Sequence, residues 1–222
     1  MISLFPLLVA LLPLFFYGLL IFFFNARKRP SLLSGSLDLA ALLVGISGFV
    51  IIGPMALLIP ILFPDISPEY SGSYYTVFIC FTYCLGSSLL LLAQKPSLVL
   101  YNCSIDTFLP IFESALEELE TEVRWAGSTV SLPEAGIELH VEQIPWLRNV
   151  RLTSVGDHQS FLGWRRLEIA LKKRLNETEV ERNLPAMGTL AIGFVALLLL
   201  MVGFLGDHQA LAESMQILLP KL

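Results

Sequence analysis

Two kinds of hydrophobic pattern alternate along this chain, and they point to two different solvents. Residues 2–24 form one uncharged run that ends in Phe22-Phe23-Phe24. At about 1.5 Å of rise per residue, a helix of that length crosses a hydrocarbon core about 30 Å thick. Comparable runs cover residues 37–63, 74–93 and 184–206, so the chain is expected to be a multi-pass membrane protein of about four transmembrane helices. The first run is too long, and too poor in basic residues ahead of it, for a cleavable signal peptide. Arg27-Lys28-Arg29-Pro30 follows it as a stop-transfer pattern. The second run exceeds what a bilayer needs, and Pro54 and Pro60 supply a bend.

Between the third and fourth runs, over residues 95–183, the pattern shortens and becomes that of a folded domain in water. Residues 97–103 read as a strand. Phe108, Phe112, Ala115, Leu119 and Val123 share one face of a helix, with Glu113, Glu117, Glu118, Glu120 and Glu122 on the other. Pro110 is tolerated only near the start of that helix. Residues 123–126, 129–132 and 137–141 alternate apolar and polar positions, as half-buried strands do, and Pro133-Glu134-Ala135-Gly136 is a turn. A further strand is expected over 149–155, and a helix from His158 to Glu179 that buries Trp164, Leu167, Leu171 and Leu175. The expected order β-α-β-β-β-α is that of a two-layer α+β sandwich with a largely antiparallel sheet. Residues 207–222 form a short tail, a candidate interfacial helix.

Composition sharpens this division. Over half of the residues are apolar, 55%, and only 15% are charged, against about 25% in an average domain. The net charge of −5 leaves no dominant basic surface, which argues against a nucleic-acid partner. Cys80, Cys84 and Cys103 have no framework spacing and predict no disulfide. Arg27, Lys28 and Arg29 flank the first run, the second connection has no basic residue, and Lys95 and Arg182 bracket the domain. The positive-inside rule then gives an N-out, C-out topology with the domain in the cytoplasm.

Candidate chemistry is sparse. Glu138, His140 and Glu142 share a strand face, but neighbours on such a face stand about 7 Å apart, too splayed to hold one ion unaided. Asp157-His158 could be a catalytic pair, yet after Gly156 the aspartate reads better as a helix cap. The recurrence of the same four residues as Gly206-Asp207-His208-Gln209, on the opposite side of the membrane, favours turn-and-cap chemistry for both. No nucleophile elbow or phosphate loop is present, and no metal or cofactor is expected. Asp38 is the one ionisable residue within the apolar runs, hence a candidate transport acid, although its place near a helix N-terminus also suits the helix dipole. Ala41, Gly45 and Gly48 form a stripe of small side chains that lets helices approach closely in lipid. Arg165, Arg166, Lys172, Lys173 and Arg174 form a basic helix face suited to anionic lipid headgroups or to the glutamates of the first domain helix.

The stretch from Arg29 to Asp38 (RPSLLSGSLD), continuing to Ser47-Gly48-Phe49, resembles the start of uncharacterised multi-pass membrane proteins of planctomycete-type bacteria. That resemblance implies a bacterial inner membrane and supplies no activity. The functional expectation is a non-enzymatic membrane protein whose cytoplasmic domain mediates protein–protein interaction or assembly. Its partners would be the lipid bilayer and either another protein or further copies of itself. The alternatives are a transport or export component and, third, a membrane-bound enzyme.

Overall fold

The computed structural model describes residues 4–53, 68–119, 122–157 and 159–205. The bends expected at Pro54 and Pro60, the residue His158 and the tail from 206 onward lie outside them. Helix α1 spans Leu4–Ala26, and strand β1 (Ser31–Ser34) leads directly into α2 (Gly35–Gly53). Helix α3 covers Pro68–Ala93, so it includes residues expected to form a loop, Glu69 among them. Then follow β2 (Ser97–Tyr101), α4 (Ile105–Glu118), β3 (Arg124–Ala126), β4 (Thr129–Leu132), β5 (Ile137–Ile144), β6 (Asn149–Ser154), α5 (Phe161–Glu177) and α6 (Leu184–Leu205).

The chain divides into two compact units, the first comprising residues 1–20, 40–92 and 190–222, the second residues 21–39 and 93–189. The second is an α+β unit. Its six strands form one sheet in the order β1-β2-β6-β5-β4-β3, with every neighbouring pair antiparallel. Alternation along the strands sends Leu98, Leu100, Val130, Leu132, Leu139, Val150 and Leu152 to one face, where they meet Phe108 and Phe112 of α4 and Leu167 and Leu171 of α5. Burying side chains of this kind stabilises by about 1.5–3 kcal/mol each, which is why the amphipathic helices lie on this face.

Local chemistry fixes the ends of the two helices. Ser104 Oγ accepts a hydrogen bond from the Thr107 N–H at 3.4 Å, and Ser160 Oγ one from the Gly163 N–H at 3.1 Å. The cap of α5 is therefore Ser160 rather than Asp157. Gly163 lets α5 approach the β4–β5 turn: a Cβ there would stand 2.2 Å from the Ala135 carbonyl oxygen.

The structure corrects the expectation of a multi-pass protein with four transmembrane helices. Among the described residues one helical window, Gly35–Ile52, is long and apolar enough to cross a membrane, with a mean hydropathy of 2.1 over 18 residues. The apolar stretches Ala10–Ala26, Val77–Ala93 and Leu184–Leu199 fall within 10–17 residues. Part of the reason is that the apolar runs are shared between units. Residues 21–26 of α1 and 184–189 of α6 belong to the α+β unit, and hydropathy alone does not separate side chains that face lipid from those that face protein. The sheet departs from expectation as well, because it recruits a strand, β1, from the connection before α2.

In the first unit, α1 lies against the small-residue stripe of α2. A Cβ on Gly48 would stand 2.2 Å from the Ala10 carbonyl oxygen, and one on Gly45 would stand 2.8 Å from the Tyr17 Cβ. Ala41, one turn earlier, is half-buried. The Tyr83 hydroxyl of α3 donates to the Leu43 carbonyl of α2, while Phe15 of α1 meets Phe194 of α6 edge-on at 5.0 Å between ring centroids.

Candidate functional site

The polar residues of the α+β unit concentrate in a seam where the ends of α1, α2 and α6 meet the sheet. Asp38 lies in the first turn of α2. Tyr101, at the end of β2, donates its hydroxyl to Asp38 Oδ1. Arg151 of β6 donates through Nη2 to Asp38 Oδ2 at 3.1 Å. Strand alternation puts Arg151 and Val99 opposite each other on the face away from the core, and so carries the guanidinium to the carboxylate. The ring of Phe24, in the last turns of α1, packs on Tyr101 with centroids 5.1 Å apart. Both carboxylate oxygens of Asp38 thus have partners within the α+β unit.

Three asparagines form the rest of the seam. Asn183 donates Nδ2 to Asn25 Oδ1 at 3.1 Å and to the Leu147 carbonyl at 3.0 Å. Its Oδ1 accepts from the Ala186 N–H at 3.3 Å, which caps α6. Asn25 in turn donates Nδ2 to the Ile21 carbonyl at 2.9 Å. Asn102, in the left-handed region at φ 55°, donates to the carbonyls of Arg27 and Glu181 at 3.0 and 3.2 Å. Backbone bonds from Val180 N–H to Lys28 O and from Asn183 N–H to Asn25 O run alongside at 2.7 and 3.2 Å. Segments far apart in sequence are therefore joined where each passes the sheet. Asn102 is fully buried, so the sequon Asn102-Cys103-Ser104 is closed to modification in the folded chain.

The basic face of α5 is mostly paired. Arg165 and Lys172 both reach Glu168, at 2.9 and 2.8 Å, while Lys173 and Arg174 reach Glu118 of α4 at 2.5 and 3.2 Å. Hydrogen bonding from Lys173 holds the Glu118 carboxyl below its usual range. Burial pushes the Glu168 carboxyl up, but hydrogen bonds from Lys172 and Arg165 outweigh it and the net shift is downward. Arg166 is exposed and, among the described residues, has no ion-pair partner. Beside it Leu162 and Ile169 are 70% and 56% exposed, which with Lys173 completes one stripe of apolar and basic side chains at helical spacing.

The remaining candidates do not converge on a reaction centre. Glu138 and Glu142 are exposed and His140 half-buried on β5, with His140 Nδ1 3.2 Å from the Ser128 hydroxyl. Among the described residues no group of three or more His, Cys, Asp or Glu side chains is placed to hold a metal ion. Cys103 is fully buried, and burial pushes its thiol up to about 12 despite the opposing charge of Arg148.

Sequence reasoning found Asp38 but missed its partners and all three asparagines. One signal was available: Asn183 stands directly before Leu184-Pro185, a helix-start pattern with a capping residue and an early proline. The partners of Asn25 and Asn102 are set by long-range packing and leave no local trace. No protein-family model, curated protein or solved structure matches the chain.

Proposed function

We propose that this is a non-catalytic, membrane-associated protein whose α+β unit binds a partner protein or a second copy of itself through the outer face of α5. The observation that carries the reading is the contrast between that face and the seam. In the seam, Asp38 has partners on both carboxylate oxygens and the buried asparagines hold chain segments together. On α5, Phe161, Leu162 and Ile169 are 79%, 70% and 56% exposed beside Arg165 and Arg166. A folded unit that leaves large apolar side chains next to arginines has the composition typical of a binding surface.

Membrane association is supported by the apolar window Gly35–Ile52 and by exposed aromatic and aliphatic side chains on α3, such as Phe78 and Phe81 at 67% each. The basic residues at 27–29 and on α5 support a cytoplasmic side for the α+β unit.

The test is the assembly state of the full chain in mild detergent, measured by light scattering during gel filtration. Leu162→Ser with Ile169→Ser should reduce the assembled mass or release a stoichiometric partner while the melting transition stays cooperative. An unchanged mass and an unchanged set of partners in that variant would refute the proposal.

A further inference from the structure

We infer that the α+β unit carries a second site, independent of the outer face of α5: a cleft that binds a phosphate ester. The cleft has a volume of about 230 Å³ and lies between β1, the end of α1 and the C-terminal half of α5. Its walls include Arg27, Lys172, Ser31 and Asn176, with Phe24 and Leu33 as apolar panels. Two cations and two neutral polar residues line this space, and among the described residues no carboxylate does. Arg27 is held with its guanidinium 4.5 Å over the Phe23 ring. Lys172 is half-exposed and gives one bond to Glu168 at 2.8 Å, which leaves further donors on an ammonium that has three.

The strand beside the cleft adds to its donor capacity. Among the described residues β1 is the edge of the sheet and pairs only with β2. Alternate backbone groups of Ser31–Ser34 therefore point away from the sheet, as edge-strand amides do. Hydroxyl, guanidinium and ammonium groups around one concavity match a tetrahedral oxyanion, for which arginine and lysine are the usual ligands. The volume corresponds to roughly eight waters at about 30 Å³ each, more than a bare anion fills. The Phe24 and Leu33 panels suit an organic substituent on the phosphate, which is the reason to assign an ester. Lys28 and Arg29, next in sequence to Arg27, add positive potential nearby.

Such an ester could be a lipid headgroup or a soluble metabolite, and titration separates them. The full chain in neutral detergent is titrated with glycerol phosphate and, in mixed micelles, with phosphatidylglycerol. At least one should bind with one-to-one stoichiometry. Binding of glycerol phosphate marks a soluble ester; binding of the lipid alone marks a headgroup. Arg27→Gln and Lys172→Gln should each weaken binding about fivefold, the effect of one cation near an anionic phosphate. Leu33→Trp leaves every charge in place but fills the cleft, and should abolish binding. Arg124→Gln, an exposed arginine of β3 paired with Glu122, should change nothing. The inference fails if neither probe binds, if Leu33→Trp binds as the unaltered protein does, or if Arg124→Gln weakens binding as much as Arg27→Gln.

Discussion

Removing the Asn183 side chain should destabilise the α+β unit more than its size implies. Asn183 is 1% exposed and its amide makes three bonds, to Asn25 Oδ1, to the Leu147 carbonyl and from the Ala186 N–H. Asn183→Ala leaves two buried acceptors and one helix-end donor without their partner. An orphaned buried group costs about 1–3 kcal/mol, and loss of a capping side chain about 0.5–2 kcal/mol. The bond to Ala186 is the longest of the three, so a net loss of about 3 kcal/mol is expected, a large share of the ~5–15 kcal/mol typical of a domain. At about 2–4 °C per kcal/mol, the melting point should fall by about 10 °C. Asn183→Asp separates the cap from the donor. It keeps the oxygen that Ala186 uses but turns a carboxylate toward two acceptors in a buried site. That raises the folded-state pKa above the unfolded value. Such a group favours folding fully below about pH 3.9 and loses that contribution as pH rises. The aspartate variant should therefore be weaker relative to the parent at pH 7 than at pH 4. Far-UV circular dichroism melts in mild detergent measure both, with the exposed Asn176→Ala as reference. An Asn183→Ala loss below about 0.5 kcal/mol, the range of an ordinary surface change, would refute the reasoning, and so would a pH-independent aspartate variant.

Three further outcomes are expected. Gly48→Leu should destabilise by about 1–3 kcal/mol through overpacking, because a Cβ already meets the Ala10 carbonyl at 2.2 Å; Val44→Leu, at a position 66% exposed, should not, and equal tolerance in thermal melts would mean that α1 does not pack on the stripe. The lowered carboxyl of Glu118, ordinarily near 4.5, stabilises the fold above that pH and loses this contribution as pH falls through its folded value; Glu118→Gln should flatten the acid limb of a stability–pH curve, and an unchanged limb would show that Lys173 and Arg174 gain nothing from the pair. Cys103, with its thiol pushed up to about 12 by burial, should resist iodoacetamide at pH 8 until denaturant is added, and mass spectrometry that finds native modification would contradict its placement.

The parts of the fold legible in sequence are those governed by period. Phe108, Phe112, Trp164, Leu167 and Leu171 repeat at helical spacing, and Ile137, Leu139 and Val141 alternate; all eight are buried in the core. Gly45 and Gly48 lie where α1 comes close, a Cβ on the first meeting Tyr17 and on the second Ala10. β1 was illegible because Ser31-Leu32-Leu33-Ser34 carries no alternation of its own. Its strand conformation comes from pairing with residues 98–101. The four-span expectation rested on the length of apolar runs, whereas among the described residues one window, Gly35–Ile52, is long and apolar enough to cross a membrane, and the ends of two other runs, residues 21–26 and 184–189, belong to the α+β unit. The partner of Asp38 was equally out of reach, since Arg151 is 113 positions away, and an acid in an apolar run reads as functional by default until its counter-ion is seen.

The kinds of polar group used in the seam bear on what this protein can do. Among the described residues the buried polar side chains are asparagine and serine, and no Asp, Glu, Lys, Arg or His is among them. An amide both donates and accepts, so Asn25 and Asn183 satisfy each other without burying a charge. An unpaired ion in the same place would cost far more. Charged pairs occur where at least one partner reaches water: the Arg151 side chain is 42% exposed against 13% for Asp38, and the Lys173 side chain is 57% exposed. General acid–base chemistry rests on the opposite arrangement, ionisable groups desolvated so that their proton affinity moves toward the working pH. Among the described residues the one strongly shifted group is the Cys103 thiol, moved away from neutrality and sealed in the core. Charge in this unit is therefore arranged at surfaces, where it can select and orient a binding partner. That is the physical ground for proposing recognition at α5 and at the cleft beside β1.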